Sequence, residues 1–346
     1  MKNIISSKLK NAINNKVILI TGGTGSFGKE FVKVILKKYN PKKIIIYSRD
    51  EFKQWEMKNS VTKNQKKLRF FIGDVRDYSR LLMAFKDVDL VIHAAALKHV
   101  PIAEYNPIEY INTNIIGAQN VIEAAISAKV NKVIALSTDK AANPANLYGA
   151  TKLASDKLFS AANNLTGSKK IMFSIVRYGN VLGSRGSFIP KLFHLKKDKK
   201  LTVPLTSNEM TRFWISLEGS VNFVLNTILR MRGGEIFIPK IPSIKIVDLI
   251  NCIAPDNPKK IIGIRPGEKL HEVLCPEDDS YHTLEYKDHY VIFPILDENI
   301  LFSKKVFTKN PVNEKGTIVK KDFSYTSKNN KVFLKKDEIK KILREI

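Results

Sequence analysis

The chain has 346 residues, of which 44% are hydrophobic and 26% are charged. This composition is typical of a folded protein and excludes a disordered one, and the length predicts about two domains. Lysine and arginine number 58 against 33 aspartates and glutamates, a formal charge of +25. Because the lysines are spread along the chain without an aromatic-interleaved cluster, we interpret the charge as a solvated surface that attracts anionic small molecules rather than nucleic acid.

Cysteine content and hydropathy exclude further classes of protein. The two cysteines, Cys252 and Cys275, have no metal-binding spacing, so neither a zinc site nor a disulfide framework is expected. No apolar run approaches the ~18 residues of a membrane helix, and the polar N-terminus lacks the apolar core of a secretory signal. We therefore expect a cytoplasmic protein with no metal and no membrane contact, in which residues 1–15 form a short appended helix.

From residue 16 onward, short apolar runs alternate with helical patterns. Strands are predicted over 16–20, 43–47, 68–74, 89–96, 132–137 and 170–179. Helices are predicted over 27–39, 108–128 and 148–163, with a short amphipathic helix before residue 89. This alternation predicts βαβ units and a parallel sheet that is covered on both faces. Since crossovers are right-handed, the leading topology is an α/β Rossmann fold with a doubly wound parallel sheet.

After residue 179 the alternation weakens. A glycine- and serine-rich loop is predicted over 181–190, helices over 221–232 and 244–253, a strand over 235–240, and an irregular polar stretch over 303–330. We predict a Rossmann domain over 16–178, joined by returning segments near 213–240. A smaller substrate domain then comprises 179–212 and 241–346.

The turn after the first strand carries a glycine fingerprint. Gly22, Gly25 and Gly28 follow a strand and open a helix. Glycine permits the tight turn and the close approach of a pyrophosphate, and the helix N-terminus supplies free N–H groups. The pattern predicts a nicotinamide dinucleotide site. Its predicted contacts in this turn are Gly22, Thr24, Gly25, Ser26, Phe27 and Gly28.

The end of the second strand distinguishes the two nicotinamide cofactors. Arg49 can pair with a 2′-phosphate through its planar guanidinium, and Ser48 can add a hydrogen bond, which favours NADP. Asp50 keeps NAD open as an alternative, because a carboxylate there can hold the ribose 2′-hydroxyl. Asp74, after the third strand, is predicted to meet the adenine, and its alternative role is a helix N-cap.

Two pairs of residues are candidates for acid–base chemistry. Tyr148 and Lys152 share one helical face, where the ammonium is expected to lower the pKa of the phenol. Asp139 and Lys140 follow Thr138 at a strand end, where parallel sheets bind their ligands. The structural alternative for the second pair is that Asp139 caps the next segment while Lys140 is solvated.

Together these motifs resemble the extended short-chain dehydrogenases/reductases. More narrowly, they resemble the inverting UDP-N-acetylglucosamine 4,6-dehydratases that begin pseudaminic-acid and related bacterial glycan pathways. The similarity runs from about Lys16 to the C-terminus. Its carriers are TGGTGSFG, YSRDE, GDVRD, HAAALKHVP, NTNIIG, STDKA, NLYGATK, RYGNVLGSRGS, MTRFWI and RPGEKLHE. Other sugar-nucleotide dehydratases have glutamate where Lys140 stands, whereas the inverting branch is similar to this chain in having Asp and Lys.

The resemblance implies a role for each catalytic candidate. Tyr148, assisted by Lys152, takes the proton of the sugar 4-hydroxyl while hydride passes to NADP⁺. Lys140 then removes the C5 proton, which requires that burial or a neighbouring charge lowers the pKa of its amine. Asp139, protonated, donates to the departing 6-hydroxyl, and Thr138 hydrogen-bonds the 4-oxygen. Hydride returns to C6, C5 is inverted, and the net reaction is loss of water.

The resemblance also implies binding contacts and an assembly. The expected partner is UDP-N-acetylglucosamine, and the expected assembly is a homo-oligomer, either a dimer or a hexamer built from dimers. Asn114 is expected to hold a helix bulge or a water. The implied cofactor contacts are Val75, Ala94, Ala95 and Ala96 besides those named above; the implied sugar-nucleotide contacts are Lys98, Asn180, Arg185, Glu268 and the diphosphate-clamping pair Arg212 and Arg265.

Several alternatives stay open at this point. A UDP-sugar 4-epimerase shares the glycines and the Tyr148–Lys152 pair, but it does not need an acid–base pair at the strand end. A dehydratase with added epimerase action is a closer alternative. An NADP-binding redox sensor without turnover and a nucleic-acid-binding protein are the remaining ones.

Overall fold

Strands and helices alternate through the described part of the chain, residues 2–167, 171–296 and 299–344 of a computed structural model. The helices are α1 (Lys2–Ile13), α2 (Ser26–Lys38), α3 (Glu51–Ser60), α4 (Tyr78–Ala84), α5 (Val100–Tyr105), α6 (Pro107–Ile111), α7 (Gly117–Ser127), α8 (Leu147–Ala161), α9 (Phe188–Leu195), α10 (Leu217–Arg230), α11 (Ile246–Ile253), α12 (Ile300–Phe307) and α13 (Lys336–Leu343). The strands are β1 (Val17–Thr21), β2 (Lys43–Ser48), β3 (Leu68–Ile72), β4 (Leu90–His93), β5 (Lys132–Thr138), β6 (Met172–Tyr178), β7 (Asn180–Val181), β8 (Val203–Leu205), β9 (Thr211–Ile215), β10 (Ile236–Pro239), β11 (Ser243–Lys245), β12 (Lys259–Ile261), β13 (Val273–Cys275), β14 (Thr283–Glu285), β15 (His289–Ile292), β16 (Thr317–Ile318) and β17 (Tyr325–Thr326).

A ten-stranded sheet forms the centre of the described molecule, in the order β16-β14-β15-β10-β6-β5-β4-β1-β2-β3. The strands from β10 to β3 are parallel to one another. The remaining three strands extend the sheet in antiparallel pairings. The order 3-2-1-4-5-6 in the parallel part is that of the doubly wound dinucleotide-binding fold, so the predicted fold class is confirmed.

The parallel strands are apolar because helices cover them. Every residue of β1 is buried, and Ile18, Leu19 and Ile20 are fully so. Helices α1, α2 and α10 pack together, while α4, α7 and α8 form a second group. Helix α2 buries Phe31, Val34 and Ile35 against its surroundings, and side-chain burial of this kind is the main stabilising term of the fold.

Side-chain caps decide where several of the crossover helices begin. Asp50 accepts from the Lys53 N–H at the start of α3, and Asp77 accepts from the Arg80 N–H at the start of α4. Asn146 does the same for α8, which carries the Tyr148–Lys152 pair. A cap satisfies a backbone N–H that has no partner within the helix, so each of these residues fixes the first turn of its helix.

The helix predicted over 108–128 contains a π-helical turn at Asn112–Ile116 between α6 and α7. Asn114 lies buried in this turn. Its side-chain amide donates to the Leu97 carbonyl and to Thr151 Oγ1, each at 3.0 Å, and its Oδ1 accepts from the Leu97 N–H. The expected helix bulge is therefore present, and it joins the β4 loop to α8 one turn after Tyr148.

The second region consists of short elements around a separate core. Three small sheets pair β11-β9-β7, β12-β8 and β13-β17. A second apolar core gathers Leu192, Trp214, Leu249 and Ile339 between α9, α11 and α13. The predicted loop over 181–190 ends earlier than expected, because α9 begins at Phe188.

The division into domains stays a prediction, although the strand pairing differs from it in two places. Residues 283–292, expected in the substrate domain, form β14 and β15 of the large sheet. Strand β9, expected near the returning segment, pairs instead with β7 and β11. Lys170, the first residue of the predicted strand over 170–179, lies outside the described residues.

Candidate active site

A cleft of about 1130 Å³ lies at the carboxyl ends of β1 to β6. Ligands of doubly wound sheets bind at this edge, where the strand order reverses. Most of the predicted site residues line it: Gly22, Thr24, Gly25, Ser26, Phe27, Gly28, Ser48, Arg49, Asp74, Val75, Ala94, Ala95, Ala96, Lys98, Thr138, Asp139, Lys140, Tyr148, Lys152, Asn180 and Arg185. Among the described residues, no cluster of His, Cys, Asp or Glu is arranged to hold a metal ion.

The glycine turn leaves room for a pyrophosphate. Gly22 has φ +65°, a conformation that side chains rarely adopt, and a Cβ there would meet Ala95 at 2.9 Å. A Cβ on Gly28 would lie 2.2 Å from the Gly23 carbonyl oxygen. Gly25 is the N-cap of α2 and has no side chain to satisfy the free N–H groups of its first turn. The turn therefore fits the phosphates of a dinucleotide.

Polar groups at the end of β2 surround the place where an adenosine ribose is expected. Arg49 Nη1 lies 3.4 Å from Asp74 Oδ2. The Asp50 carboxylate is engaged as the cap of α3 and pairs with Lys53, a residue that also lines the cleft and that sequence analysis missed. Ser48 Oγ accepts from Gln54 Nε2 at 3.0 Å.

Asp74 does not cap a helix, because Asp77 is the N-cap of α4. Its carboxylate instead accepts from the Arg76 backbone N–H and from the Arg76 guanidinium. Burial opposes ionisation of Asp74, but the Arg76 hydrogen bonds and the charge of Arg49 outweigh it and hold the pKa of the carboxyl below its usual range. An ionised acceptor is thus present at this side of the cleft.

The acid–base candidates meet at the ends of β5 and β6. Asp139 and Lys140 form a single turn of 3₁₀ helix directly after β5. Tyr148 and Lys152 project from the first two turns of α8, and Tyr178 at the end of β6 lines the same part of the cleft. Tyr178 is a second cleft residue that sequence analysis missed.

Lys140 lies between two buried carboxylates. Its Nζ donates to Asp139 Oδ1 at 3.0 Å and lies 3.2 Å from Glu272 Oε1. The structural alternative of a solvated Lys140 is therefore wrong. Glu272 was not predicted as a site residue, although it is the last residue of the RPGEKLHE motif.

The protonation of this pair differs from the expectation. Burial lowers the pKa of Lys140, but the charges of Asp139 and Glu272 outweigh burial, and the net shift is upward. The expected lowered pKa is wrong because the charge of Asp139, together with that of the unforeseen Glu272, outweighs burial. Burial raises the pKa of Asp139 above its ordinary value, so its carboxyl is easier to protonate than one in water.

Tyr148 also differs from its predicted behaviour. Burial raises its pKa to about 12, and the groups that oppose this are the Lys140 charge and a hydrogen bond with Thr138. Lys152 Nζ donates to the Leu136 carbonyl at 2.8 Å, and burial lowers its pKa. The predicted lowering of the Tyr148 pKa by Lys152 is therefore wrong; Lys140 is the cation that acts on the phenol.

A buried polar network holds the Tyr148 helix and the Asp139 turn in place. Asp156 Oδ2 on α8 accepts from Ser137 Oγ at 2.8 Å and from Arg177 Nη2 at 3.0 Å. Both partners of the Asp156–Arg177 ion pair are 2% exposed. The network ties α8 to β5 and β6, and so fixes the distance between the Tyr148 helix and the Asp139 turn.

The loop between β7 and α9 lies over the glycine turn. The Arg185 N–H donates to Ser26 Oγ at 3.0 Å, and its guanidinium donates to the Thr24 carbonyl. Lys98 Nζ donates to the Arg185 carbonyl at 2.9 Å. Arg185 and Lys98, which we expected at the sugar nucleotide, thus lie beside the predicted cofactor phosphates.

Three predicted substrate contacts lie outside the cleft. Arg212 is buried, donates to the carbonyls of Thr211, Lys269 and Leu270, and lies 3.5 Å from Glu272. These partners hold its guanidinium outside the cleft, and a diphosphate contact of Arg212 stays a prediction. Arg265 and Glu268 follow in the adjoining segment, where Glu268 accepts from Thr206 Oγ1.

Comparison with known proteins identifies a family and relatives that this chain resembles over most of its length. The family described as "Polysaccharide biosynthesis protein" matches residues 18–294. A Campylobacter jejuni UDP-N-acetylglucosamine 4,6-dehydratase (inverting) is 57% identical over 95% of this chain and 98% of its own length. A Rickettsia typhi UDP-glucose 4-epimerase is 42% identical over 95% of each chain.

A solved structure agrees with the fold over nearly the whole chain. The X-ray structure of Pen from Bacillus thuringiensis superposes with a TM-score of 0.84 at 34% identity, covering 96% of this chain and 98% of the other. The cleft, the glycine turn and the Asp139–Tyr148 cluster all fall within the segment that matches the family. The chain therefore belongs to the polysaccharide biosynthesis protein family, as an extended short-chain dehydrogenase/reductase.

Proposed function

We propose that this chain is a hydro-lyase, an inverting UDP-N-acetylglucosamine 4,6-dehydratase, that acts early in the synthesis of a bacterial surface glycan of the pseudaminic-acid type. The observation that carries the proposal is the position of Lys140, an amine held between buried carboxylates beside Tyr148. A 4-epimerase oxidises and reduces C4 alone and has no use for an acid and a base at C5 and C6. The similarity to the Campylobacter dehydratase supports the same choice.

The first step removes hydrogen from C4. Tyr148 takes the proton of the 4-hydroxyl, and Thr138, already hydrogen-bonded to Asp139 at 3.0 Å, lies beside the same oxygen. The Lys140 ammonium favours the phenolate that this step requires, because its charge opposes the effect of burial on Tyr148. A nicotinamide cofactor held in the cleft by the glycine turn from Gly22 to Gly28 would supply the hydride acceptor for C4 and the hydride donor for C6.

The second step eliminates water across C5 and C6. A proton passes from the Lys140 ammonium to Asp139 over 3.0 Å, which leaves a neutral amine and a neutral carboxyl. Lys140 removes the C5 proton, made acidic by the 4-ketone, and Asp139 donates to the departing 6-hydroxyl. The ion pair is thereby restored.

The last step delivers a proton to C5 on the face away from Lys140, which inverts that centre. Water supplies the C5 proton, and Tyr148 releases to water the proton that it took from the 4-hydroxyl. All residues therefore return to their starting charges.

The proposed cofactor is NADP, bound tightly enough to remain through each cycle. The Asp50 carboxylate is engaged by α3 and Lys53, which makes it a poor partner for a ribose 2′-hydroxyl. Arg49 and Lys53 instead place two cations at the end of β2, suited to a 2′-phosphate. Arg185 lies over the glycine turn and covers the part of the cleft where the cofactor phosphates are expected.

Location and assembly belong to the same proposal. Both cysteines are free thiols, which fits the reducing cytoplasm. No described helix is long and apolar enough to span a membrane. The proposed homo-oligomer is supported by exposed apolar side chains on consecutive helical segments, and light scattering tests it. These side chains are Ile102, Tyr105, Ile108 and Ile116.

Product analysis tests the proposal. The purified protein is incubated with UDP-N-acetylglucosamine in heavy water, and the product is examined by mass spectrometry and NMR. We expect loss of water, one deuterium at C5 and an L-configured 6-deoxy-4-keto sugar. A product of unchanged mass would identify the 4-epimerase suggested by the Rickettsia relatives, and retained configuration at C5 would contradict inversion.

A further inference from the structure

Glu272 lies in the second region of the molecule and contacts the turn that carries Asp139 and Lys140. It directly precedes β13 and is 2% exposed. Its N–H donates to Ser327 Oγ at 2.9 Å, and its carbonyl accepts from the Ser327 N–H at 2.8 Å. The backbone of Glu272 is therefore held firmly, and its carboxylate has a defined direction toward Lys140.

The neighbouring segment is fastened to the same turn. Lys269 Nζ donates to the Ala142 carbonyl at 2.7 Å, and Asn146 Nδ2 donates to the Gly267 carbonyl at 2.8 Å. These contacts bring the RPGEKLHE segment against the residues that follow Lys140. The approach of Glu272 is thus part of a built junction between the two regions.

Two oxygens of this cluster are buried without a hydrogen-bond partner among the described residues: Asp139 Oδ2 and Glu272 Oε2. An unpaired buried carboxylate oxygen is costly in a protein interior. Another interaction must compensate for this cost. Here the other oxygen of each carboxylate pairs with the Lys140 amine. The amine is the group that the two carboxylates share.

The charges of the cluster balance. Asp139 and Glu272 face Lys140 at 3.0 and 3.2 Å, and Arg212 lies 3.5 Å from Glu272. Counting the formal charges of the adjoining Lys269 and Glu268 as well, three negative and three positive charges cancel. Transfer of one proton from Lys140 to Asp139 leaves this total unchanged, and Arg212 keeps Glu272 neutralised throughout.

We propose that Glu272 is a positioning residue for the elimination step, which holds the Lys140 amine against Asp139 and sets the pH range in which that pair shares one proton. The proposal rests on the proposed function, because the shared proton is the one that passes between the base and the acid. Glu272 acts through Lys140 and has no contact with the cleft of its own.

The sign of the expected pH effect follows from charge. The charged and titratable groups facing the pair are Glu272, Arg212, Lys269 and Tyr148. Replacing Glu272 by glutamine removes one negative charge, so the Asp139–Lys140 pair holds its protons less tightly. Both limbs of a bell-shaped kcat profile then move to lower pH, by about one to three units for a charge this close.

The test compares Glu272→Gln with Glu235→Gln in the full-length protein. Glu235 is also a buried carboxylate, bonded to Ser174 Oγ at 2.7 Å and to the Gly233 N–H at 2.7 Å, and it lies outside the cleft. In Glu272→Gln we expect kcat for dehydration to fall roughly ten- to hundredfold, less than loss of the base itself. KM is expected to stay within about twofold, because contacts made equally with the substrate and the transition state are unchanged. Glu272→Asp is expected to regain part of the rate.

A second readout does not depend on turnover. The Lys140 side chain is 24% exposed in the cleft, so an amine-reactive acylating reagent can label it, and peptide mass spectrometry measures the extent across a pH series. In Glu272→Gln the labelling should rise at lower pH than in the unmodified protein, and in Glu235→Gln it should not move.

The outcomes separate the two proposals. Unmodified protein that releases no dehydrated product overturns the proposed function, whatever Glu272 does. If the unmodified protein dehydrates its substrate but Glu272→Gln shifts neither the kcat profile nor the labelling curve, the positioning role is overturned. Equal shifts in Glu235→Gln would show that general loosening of the fold causes them, and would overturn it as well.

Discussion

Charged residues at the two ends of the cleft have different surroundings. At the ends of β2 and β3, Arg49 is 49% exposed and pairs with Asp74 at 3.4 Å. At the ends of β5 and β6, Asp139 is 1% exposed and Lys140 contacts two carboxylates within 3.2 Å. The first group faces water, whereas the second is enclosed by both regions of the protein.

The difference separates affinity from chemistry. Exposed charges are screened by water and salt, so each contributes little to the free energy of binding. Buried charges determine one another's protonation, because desolvation and Coulomb interactions are both large there. We therefore expect substitutions at the buried end to abolish chemical steps, and substitutions at the exposed end to change the preference for a cofactor.

The largest effect is expected for Tyr148→Phe. Loss of the phenolic hydroxyl removes the acceptor of the 4-hydroxyl proton. The first oxidation should therefore slow by about 10²–10⁴-fold, the usual contribution of a positioned general base. UDP-sugar binding should remain nearly intact because the ring is kept. Stopped-flow absorbance of the reduced nicotinamide measures the step, and an unchanged rate of reduction would remove Tyr148 from this role.

Lys140→Ala should stop the reaction one step later. The protein should still bind UDP-N-acetylglucosamine and NADP. It should oxidise C4 more slowly than the unmodified protein, because the charge that favours the Tyr148 phenolate is lost, and release of the 6-deoxy-4-keto product should fall by about 10²–10⁴-fold. The control is Lys199→Ala, because Lys199 is 73% exposed and pairs with Asp256 on the surface. Near-normal turnover of Lys140→Ala would show that its amine is only a neighbour of Asp139.

The third prediction compares a buried with an exposed ion pair directly. Asp156→Ala leaves Arg177 charged and unpaired at 2% exposure, so the free energy of unfolding should fall by about 3–5 kcal/mol. Asp256→Ala breaks an exposed pair with Lys199 and should leave the denaturant midpoint unchanged. Urea unfolding followed by circular dichroism measures both; equal midpoints would mean that burial of the Asp156 pair contributes nothing.

The parallel half of the fold could be predicted because its signals are local. Runs such as Ile18–Ile20 are apolar on both faces, and the glycine turn has a fixed spacing, so β1 and α2 begin within a residue of their predicted positions. The cleft residues at strand ends follow from the same topology, since carboxyl ends of parallel strands share one edge.

The junction between the two regions could not be predicted, because its contacts join distant parts of the chain. The pairing of β13 with β17 and the contact of Lys269 with Ala142 bring Glu272 to Lys140. The resemblance implied a diphosphate contact for Arg212. In β9, however, its guanidinium is surrounded by backbone carbonyls of the RPGEKLHE segment. At this junction the Glu272 charge adds to that of Asp139, and together they raise the pKa of Lys140.

The smallest effect is expected for Arg49→Ala, at the exposed end. The guanidinium can bind a 2′-phosphate but has no partner on the 2′-hydroxyl of NAD, so the variant should lose affinity mainly for NADP. Because Arg49 is half exposed, we expect a loss of about 1 kcal/mol, or roughly fivefold in Kd. Salt should reduce the difference in NADP affinity between the two proteins. Screening weakens the exposed contact of Arg49 with a 2′-phosphate and acts much less on the buried Asp139–Lys140 pair. Isothermal titration of the protein freed of its cofactor, with NADP and NAD at low and high salt, measures the change. Equal weakening for both cofactors would remove Arg49 from the 2′-phosphate. A loss far above tenfold would mean that this end of the cleft closes around its ligand, so that exposure in the free protein no longer describes it.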